Sequence, residues 1–255
     1  MKVVFAGPSL PDREFCAGAS SVAFRAPAAL GDVTKAVIEG ATVIGLVDGV
    51  FESVAAVWHK EILYALSEGV QVLGAASMGA LRAAECAPFG MIGVGTIFAA
   101  YASGQLVDDD AVAQVHGPAE LDYIALSEPL VNIEATVDAL RRRELITEEE
   151  DVRIRQAARA TFFKERSYDS VVAAASLSLP RRAVIAGLIE RHRRDLKREE
   201  AGELVVRVAA AFARRVSPPS HWRFEETQIW RELLQGWRAE VGPQTATPGS
   251  ISAAA

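Results

Sequence analysis

Residues 69–85 read GVQVLGAASMGALRAAE, and this stretch contains the transition that defines the fold class. Its first part is a short apolar run bounded by glycine, which is typical of a buried β-strand, and its second part has helical spacing. Ser77 lies between the two parts and has small residues on both sides. The stretch therefore predicts a strand that leads directly into a helix, with a serine at the turn.

The segments before this stretch repeat the same alternation. Apolar runs predict strands over residues 3–6, 22–25, 42–47 and 70–75, and helical spacing predicts helices over residues 33–39, 54–68 and 78–85. Strands without polar alternation indicate a sheet that is covered on both faces. Helical connections make such a sheet mostly parallel. We expect an α/β fold with a mostly parallel sheet and flanking helices in the N-terminal half.

The rest of the chain favours helices. Further strands are expected over residues 112–116 and 123–126, and helices over residues 133–140, 148–163, 170–176, 181–193 and 200–216. We divide the chain into an α/β core over residues 1–140, an all-helical region over residues 141–240 and a tail over residues 241–255. The tail is mostly Gly, Pro, Thr, Ser and Ala, a composition typical of disorder.

Composition narrows the class of protein. Half of the 255 residues are hydrophobic, which is enough to form a buried core. The net charge is −6, and nucleic-acid-binding proteins typically have a basic surface instead. No run approaches the roughly 18 apolar residues of a membrane span. The two cysteines indicate no disulfide framework, and no Cys/His spacing is typical of zinc. We expect a cytoplasmic protein that binds no membrane, no nucleic acid, no metal and no cofactor.

Polar residues follow three of the predicted strands. Ser9 comes after the first strand, Asp48 after the third and Ser77 after the fourth. Ligands of open parallel sheets bind outside the carboxyl ends of the strands. The fold prediction therefore places these three residues at one edge of the sheet.

Ser77 has two interpretations. The sequence around it resembles a nucleophile elbow in which Ala75 replaces the first glycine of the G-x-S-x-G motif. The amides of Met78 and Gly79 would then begin a helix and donate to a developing oxyanion. Alternatively, Ser77 only caps this helix, because serine is a preferred N-cap residue.

A nucleophilic serine needs a base, and Lys60 is the candidate in the predicted helix over residues 54–68. That helix is apolar almost all round, and burial lowers the pKa of a lysine, so that a neutral amine can accept the serine proton. The alternative is a lysine whose stem packs on apolar surface while its charge stays in water. His59 and His116 have no comparable context.

Other charged residues leave their alternatives open. Arg82 either pairs with Glu85 or holds a carboxylate of a partner protein. Asp48 either orients the Ser77 site or makes a turn with Gly49. The basic run over residues 191–198 is either a solvated helix face or a docking surface. Late aromatic residues, among them Trp230 and Trp237, are expected to pack back on the core.

Several segments together resemble the TfuA-like family. The resemblance covers about residues 3–140, and it is carried by VFAGPSL at 4–10, GD at 31–32, DGVF at 48–51, HKEIL at 59–63, the stretch 69–85, GVGTIF at 93–98 and PLVNI at 129–133. The stretch 69–85 is long and unusual, so the resemblance is specific. The chain differs from many members at Ala76, where they carry a second serine, and at Glu134, where they carry arginine.

The resemblance implies a function. TfuA-like proteins accompany YcaO enzymes, which use ATP to exchange the oxygen of a peptide-backbone amide for sulfur. The partner resembles a hydrolase that uses a Ser-Lys pair, here Ser77 and Lys60, to release sulfur from a thiocarboxylated ThiS-like carrier. It also helps YcaO to engage its peptide or protein substrate. The alternatives are a non-catalytic adaptor that binds YcaO, or a generic serine amidase or esterase.

Overall fold

The structure, a computed structural model, describes residues 1–11, 20–50, 52 and 54–242. The predicted disordered tail lies outside these residues except for its first two positions. Among the described residues, no helix is long and apolar enough to cross a membrane.

Five parallel strands form one sheet in the N-terminal half. The parallel sheet and four of its strands are as the sequence predicts, and the fifth strand was not predicted. They are β1 (Lys2–Phe5), β2 (Val22–Arg25), β3 (Val43–Leu46), β4 (Gln71–Gly74) and β5 (Ile92–Gly93). Their order is β2-β1-β3-β4-β5, with Val3 beside Ile44 and Ile44 beside Val72. This is one of the common doubly wound orders, and it reverses between β1 and β3, where such sheets bind ligands.

Helices connect and cover the strands. Those of the N-terminal half are α1 (Asp32–Ile38), α2 (His59–Ser67), α3 (Met78–Cys86) and α4 (Gly95–Ala102). The C-terminal half contributes α5 (Leu130–Arg142), α6 (Glu148–Ala160), α7 (Tyr168–Ala174), α8 (Leu179–His192), α9 (Leu196–Ala210) and α10 (Gln228–Val241). The helical C-terminal region is thus confirmed.

The strands expected over residues 112–116 and 123–126 are wrong. The two segments form no ladder: an isolated bridge joins His116 to Ala125, and single backbone hydrogen bonds lie beside it, such as Leu126 N to Val115 O at 2.8 Å. Ile124 and Leu126 are exposed, so the second segment has no core face to bury. An apolar run forms a strand only where a neighbouring strand is available to pair with it. The sheet ends at β5, and these two segments do not join it.

Alternate residues of the strands face two different layers. Val3 and Phe5 of β1 pack with α1, α2 and α10, whereas Val4 packs with α9. On α9, Leu204, Val205 and Val208 are buried. Each such side chain stabilises the fold by about 1.5–3 kcal/mol relative to an exposed one. Helices from the C-terminal half therefore complete the core of the N-terminal sheet.

A second core lies among α4 to α8, which pack against one another around Ile133, Leu140 and Ile154. The predicted boundary between residues 140 and 141 falls within α5. The domain division itself stays a prediction.

Candidate functional site

Asp48 joins two loops at the carboxyl edge of the sheet. Its Oδ2 accepts hydrogen bonds from Gly7 N at 2.8 Å and Ser9 N at 3.0 Å, and its Oδ1 accepts one from Ser9 Oγ at 2.6 Å. Asp48 and Ser9 are both buried. The carboxylate therefore holds the loop after β1 against the end of β3, where the strand order reverses. Neither of the roles expected for Asp48 included this contact.

Ser77 lies at a sharp turn between β4 and α3. The residue before it, Ala76, has φ of 65°, which a non-glycine residue adopts only at a cost in free energy. Ser77 N donates to Ala75 O at 2.8 Å, and the side chain is only 3% exposed. Although Ser77 occupies the N-cap position, its hydroxyl makes no hydrogen bond to the amides of α3. The capping interpretation thus lacks the contact that would support it.

Two glycines let α3 approach the sheet closely. A Cβ on Gly79 would lie 1.8 Å from Leu46 O, and a Cβ on Gly74 would lie 2.1 Å from Gly79 O. The short distance lets Gly79 N donate to Val47 O at 3.0 Å.

This hydrogen bond corrects one expectation. The amide of Gly79 is already used inside the core, so it does not form the expected oxyanion pair. Met78 is the first residue of α3, and its amide has no acceptor within the helix. Of the two predicted amides, only that of Met78 remains a candidate donor.

A cavity of about 330 Å³ opens beside Ser77. Its walls come from the loops after β1 and β3, the turn before α3, the segment after α4, the segment before α7, and α9. The lining residues are Pro8, Asp48, Gly49, Val50, Glu52, Ser77, Gln114, Val115, His116, Phe163, Lys164 and Lys197. Ser77 and Asp48 are thus brought together as predicted, with Ser9 held behind Asp48.

Lys197 is the buried cation of this cavity, with 1% of its surface exposed. Its Nζ donates to Val112 O at 2.9 Å and to Gln114 Oε1 at 3.3 Å. Loss of hydration lowers the pKa of this lysine, although the negative charges of Asp48, Asp195 and Glu128 oppose the effect. These are the properties that the sequence predicts for Lys60.

The start of α9 fixes where Lys197 lies. Lys197 N donates to Asn132 Oδ1 at 3.1 Å, and Asn132 Nδ2 donates to Glu128 Oε1 and Asp195 Oδ1, both at 3.0 Å. Burial raises the pKa of Glu128, and Arg193 beside it acts in the opposite direction. This buried network attaches α9 to α5 and so holds Lys197 at the cavity.

His116 is a further polar side chain that lines the cavity. It is half-buried, and its Nδ1 lies 2.8 Å from Gly117 O. The ring packs edge-on against Tyr123, with 5.5 Å between the centroids. An Nδ1–H that donates to this carbonyl leaves Nε2 as a hydrogen-bond acceptor.

The structure does not bring Lys60 to Ser77. Lys60 is half-buried near the start of α2, and its Nζ lies 5.3 Å from the centre of the Phe224 ring. It lines a separate cavity with aromatic side chains, among them Trp58, Phe89 and Trp222. The attraction between the cation and the aromatic face holds the Lys60 side chain at this second cavity, outside the one that Ser77 lines.

Arg82 is also used elsewhere. Its Nε donates to Val57 O at 3.0 Å, and its Nη1 donates to Glu85 Oε2 at 2.7 Å. These contacts fit the expectation of an ion pair within α3. Arg82 does not line the Ser77 cavity.

Lys197 was not predicted as a site residue because it belongs to the basic run over residues 191–198. One signal was present, however. Lys197 is spaced by four, seven, eight and eleven residues from Ala201, Leu204, Val205 and Val208. These are positions on one helix face, so the apolar pattern of α9 includes the lysine.

The described residues contain no group of three His, Cys, Asp or Glu side chains that could hold a metal ion. The fold and the site thus define a doubly wound α/β protein with a buried serine at a strand-to-helix turn. Its polar cavity lies at the carboxyl edge of the sheet.

Comparison with known proteins adds the family. A family model described as TfuA-like protein matches residues 48–167. This match agrees with the resemblance that the sequence indicates, and the TfuA-like family is associated with YcaO-dependent thioamidation. No curated protein matches the chain. The matched range includes Ser77 and ends before α9, so Lys197 lies outside it.

Proposed function

We propose that this protein is an accessory hydrolase for YcaO-dependent thioamidation of a peptide backbone. It releases sulfide from the thiocarboxylated end of a ThiS-like carrier protein, with Ser77 as the nucleophile, and it aids the engagement of YcaO with its peptide. The observation that carries the proposal is Ser77 itself. Its hydroxyl follows a strained residue, lines a cavity and is not used to cap α3.

The reaction is an acyl transfer. Ser77 Oγ attacks the thiocarboxylate carbon, the oxyanion is stabilised by Met78 N at the start of α3, and sulfide leaves. Water then hydrolyses the acyl-enzyme and frees the carrier as a carboxylate. Lys164 and Lys197 line the cavity and offer cationic contacts to an anionic chain end, while Asp48 and Glu52, the ion-pair partner of Lys164, line it too.

The first test is sulfide release from a thiocarboxylated ThiS-like carrier by the native protein and by Ser77→Ala. We expect release to fall by at least about 100-fold in the variant, as is usual when a nucleophile is removed. The matched control is Ser178→Ala, because Ser178 is also an N-cap serine without a side-chain capping bond, and it precedes α8, outside the cavity. Ser178→Ala is expected to keep the native rate.

The other outcomes identify the alternatives. If the native protein releases no sulfide but still binds YcaO, it is a non-catalytic adaptor. If it cleaves simple esters at Ser77 without any carrier, it is a generic serine esterase. Each result would contradict the proposed hydrolase.

A further inference from the structure

The hydroxyl of Ser77 faces the cavity without a partner. Ser77 is 3% exposed, and among the residues that the structure describes no group forms a hydrogen bond with its Oγ. In the same part of the chain, Trp230 Nε1 is the side-chain atom that is both fully enclosed and unpaired. The Ser77 hydroxyl is therefore open to the cavity that it lines, and its partner there is a bound ligand.

A tetrahedral intermediate at Ser77 needs donors for its oxyanion. In nucleophile elbows the donors are usually two backbone amides, one from the residue after the serine and one from a loop at another strand. Met78 N is the first of these. Gly79 N cannot be the second, because it already donates inside the core. The strand beside β4 is β3, and the chain continues from β3 to Gly49 at the cavity.

The hydrogen bonds of Ala28 show which way the peptide groups after β3 face. Ala28 N donates to Asp48 O at 2.9 Å, and Val50 N donates to Ala28 O at 3.0 Å, so that Ala28 and Gly49 form a parallel bridge. In a parallel ladder, successive residues of a strand bond to opposite neighbours. Gly49 lies between the two residues that bond to Ala28. Its own N–H therefore points away from Ala28.

That direction leads to the turn before α3. Helix α3 lies on this side of β3, where Gly79 N donates to Val47 O at 3.0 Å. A Cβ on Gly49 would lie 2.1 Å from Met78 Sδ, so the two backbones are close neighbours. Gly49 and Ser77 line the same cavity. Within the described parts of the chain, no acceptor takes the N–H of Gly49, which leaves this donor for a ligand in the cavity.

We propose that the amide of Gly49 is the second oxyanion donor of this site and acts together with the amide of Met78. The inference rests on the proposed function in taking Ser77 as the nucleophile, but it does not depend on the identity of the acyl group. Gly49 takes the place that the sequence analysis gave to Gly79. Because backbone supplies both donors, the fold itself fixes their positions before a substrate binds.

The two amides act on the charge that develops on oxygen. As the bond from Ser77 Oγ to the acyl carbon forms, the electron pair of the C=O bond moves onto oxygen, where both N–H groups meet it. The hydroxyl proton ends on sulfur. The pair on oxygen then re-forms the C=O bond, the C–S bond breaks, and its electrons leave with hydrosulfide. The donors stabilise the transition state more than the bound thiocarboxylate, because the oxygen is more negative there.

The first test removes the N–H without adding a side chain. The full chain is made with glycolic acid in place of Gly49, which puts an ester oxygen where the amide was. We expect sulfide release from a thiocarboxylated ThiS-like carrier to lose about 100–1,000-fold in kcat, with little change in KM. The matched control carries lactic acid in place of Ala28. It loses the N–H that donates to Asp48 O on the opposite side, so it should melt at a lower temperature but keep the rate.

A spectroscopic measurement separates charge stabilisation from structural support. A trifluoromethyl ketone labelled with ¹³C at its carbonyl forms a hemiketal with a reactive serine, and NMR reports the pH at which the hemiketal oxygen ionises. Donors to the oxyanion lower this pKa. With glycolic acid in place of Gly49, the ionisation at Ser77 should move to higher pH by about 1 unit or more. The Ala28 control should ionise as the native protein does.

A genetic pair covers the case in which the ester chain does not fold. Met78→Ala makes room for a Cβ at position 49 and keeps the amide of residue 78. In this background, Gly49→Ala retains the N–H and Gly49→Pro removes it, while both add a Cβ at the same place. We expect the proline variant to release sulfide at least about 100-fold more slowly than the alanine variant.

Other results would overturn the inference. Gly49 N is not a donor if glycolic acid at its position leaves both the rate and the hemiketal ionisation unchanged, or if the Ala28 control loses the rate equally. A hemiketal whose ionisation depends on Gly49 N, in a protein that releases no sulfide, supports the inference and contradicts only the proposed substrate. If the ketone forms no adduct with Ser77 in the native protein, both proposals are wrong.

Discussion

Gly79 and Gly187 both lie within helices, yet their surroundings are opposite. A Cβ on Gly79 would lie 1.8 Å from Leu46 O, whereas a Cβ on Gly187 would meet nothing within 4 Å. We expect Gly79→Ala to lower the free energy of unfolding by about 2–3 kcal/mol, since backbone must move apart. Gly187→Ala should raise it by about 0.5–1 kcal/mol through helix propensity. Urea denaturation of both variants measures the difference, and equal effects would contradict this account.

Individual site residues were predictable when they followed a strand. Ser9, Asp48 and Ser77 were each placed at the carboxyl edge of the sheet because parallel strands end together. Lys197 was not predicted, because it lies 120 positions after Ser77 in a basic run whose usual place is a solvated surface. The hydrogen bond of Gly79 N to Val47 O depends on how closely α3 packs on the sheet, which no local pattern specifies.

Helix α6 begins with a charge cluster that gives the fold a defined acid dependence. Glu150 accepts hydrogen bonds from Arg181 on α8 and from Thr147 N, and these contacts lower its pKa from 4.5 to about 2. In the unfolded chain the carboxyl regains its ordinary pKa. The stabilisation is therefore complete above about pH 4.5 and is lost as the pH falls towards 2.

This linkage can be measured with Glu150→Gln. At pH 7 the variant should be less stable than the native protein by about 1 kcal/mol, a value reduced for solvent screening. The difference should shrink as the pH falls from 4.5 towards 2, where the native carboxyl is itself protonated. Glu149→Gln is the control, because Glu149 is an exposed residue of the same helix that pairs with Arg153. A difference that does not change with pH would contradict the assigned pKa.

The start of α2 shows why the limits of an element are harder to predict than its existence. An apolar run from Val54 predicts a helix from residue 54, but α2 begins at His59. Ala55 O accepts a hydrogen bond from Leu30 N, and Ala56 forms a bridge with Ala29. These tertiary contacts hold the backbone out of the helix. Because α2 starts later than predicted, Lys60 lies in its first turn. The predicted helix over residues 54–68 would have placed Lys60 near its middle.

At the scale of the whole molecule, the family match and the site do not coincide. The match covers residues 48–167, while β1 and the Gly7–Ser9 loop precede it, and α9 with Lys197 follows it. The late aromatic residues pack back on the core as expected, with Trp230 fully buried. The sequence resemblance located the serine, but only the folded chain shows which distant helix completes the cavity.

This closure by α9 makes a prediction about the division into domains. A chain of residues 1–140 would keep all five strands but would lose the buried face of α9, formed by Leu204, Val205 and Val208, and the aromatic face of α10. Both faces of the sheet would then expose apolar side chains to water. We expect this fragment to bind a hydrophobic dye and to melt without a cooperative transition.

The control is a chain that ends at residue 242, because every buried residue of the described core precedes that position. It should melt cooperatively, at a temperature close to that of the full chain. Circular dichroism and calorimetry of the two shortened chains measure the contrast. A cooperative transition in the chain of residues 1–140 would show that the α/β core is an independent domain. Lys197 would then belong to a separate helical unit that docks on the α/β core at the Ser77 cavity. Separation of the two units would remove Lys197 from the cavity.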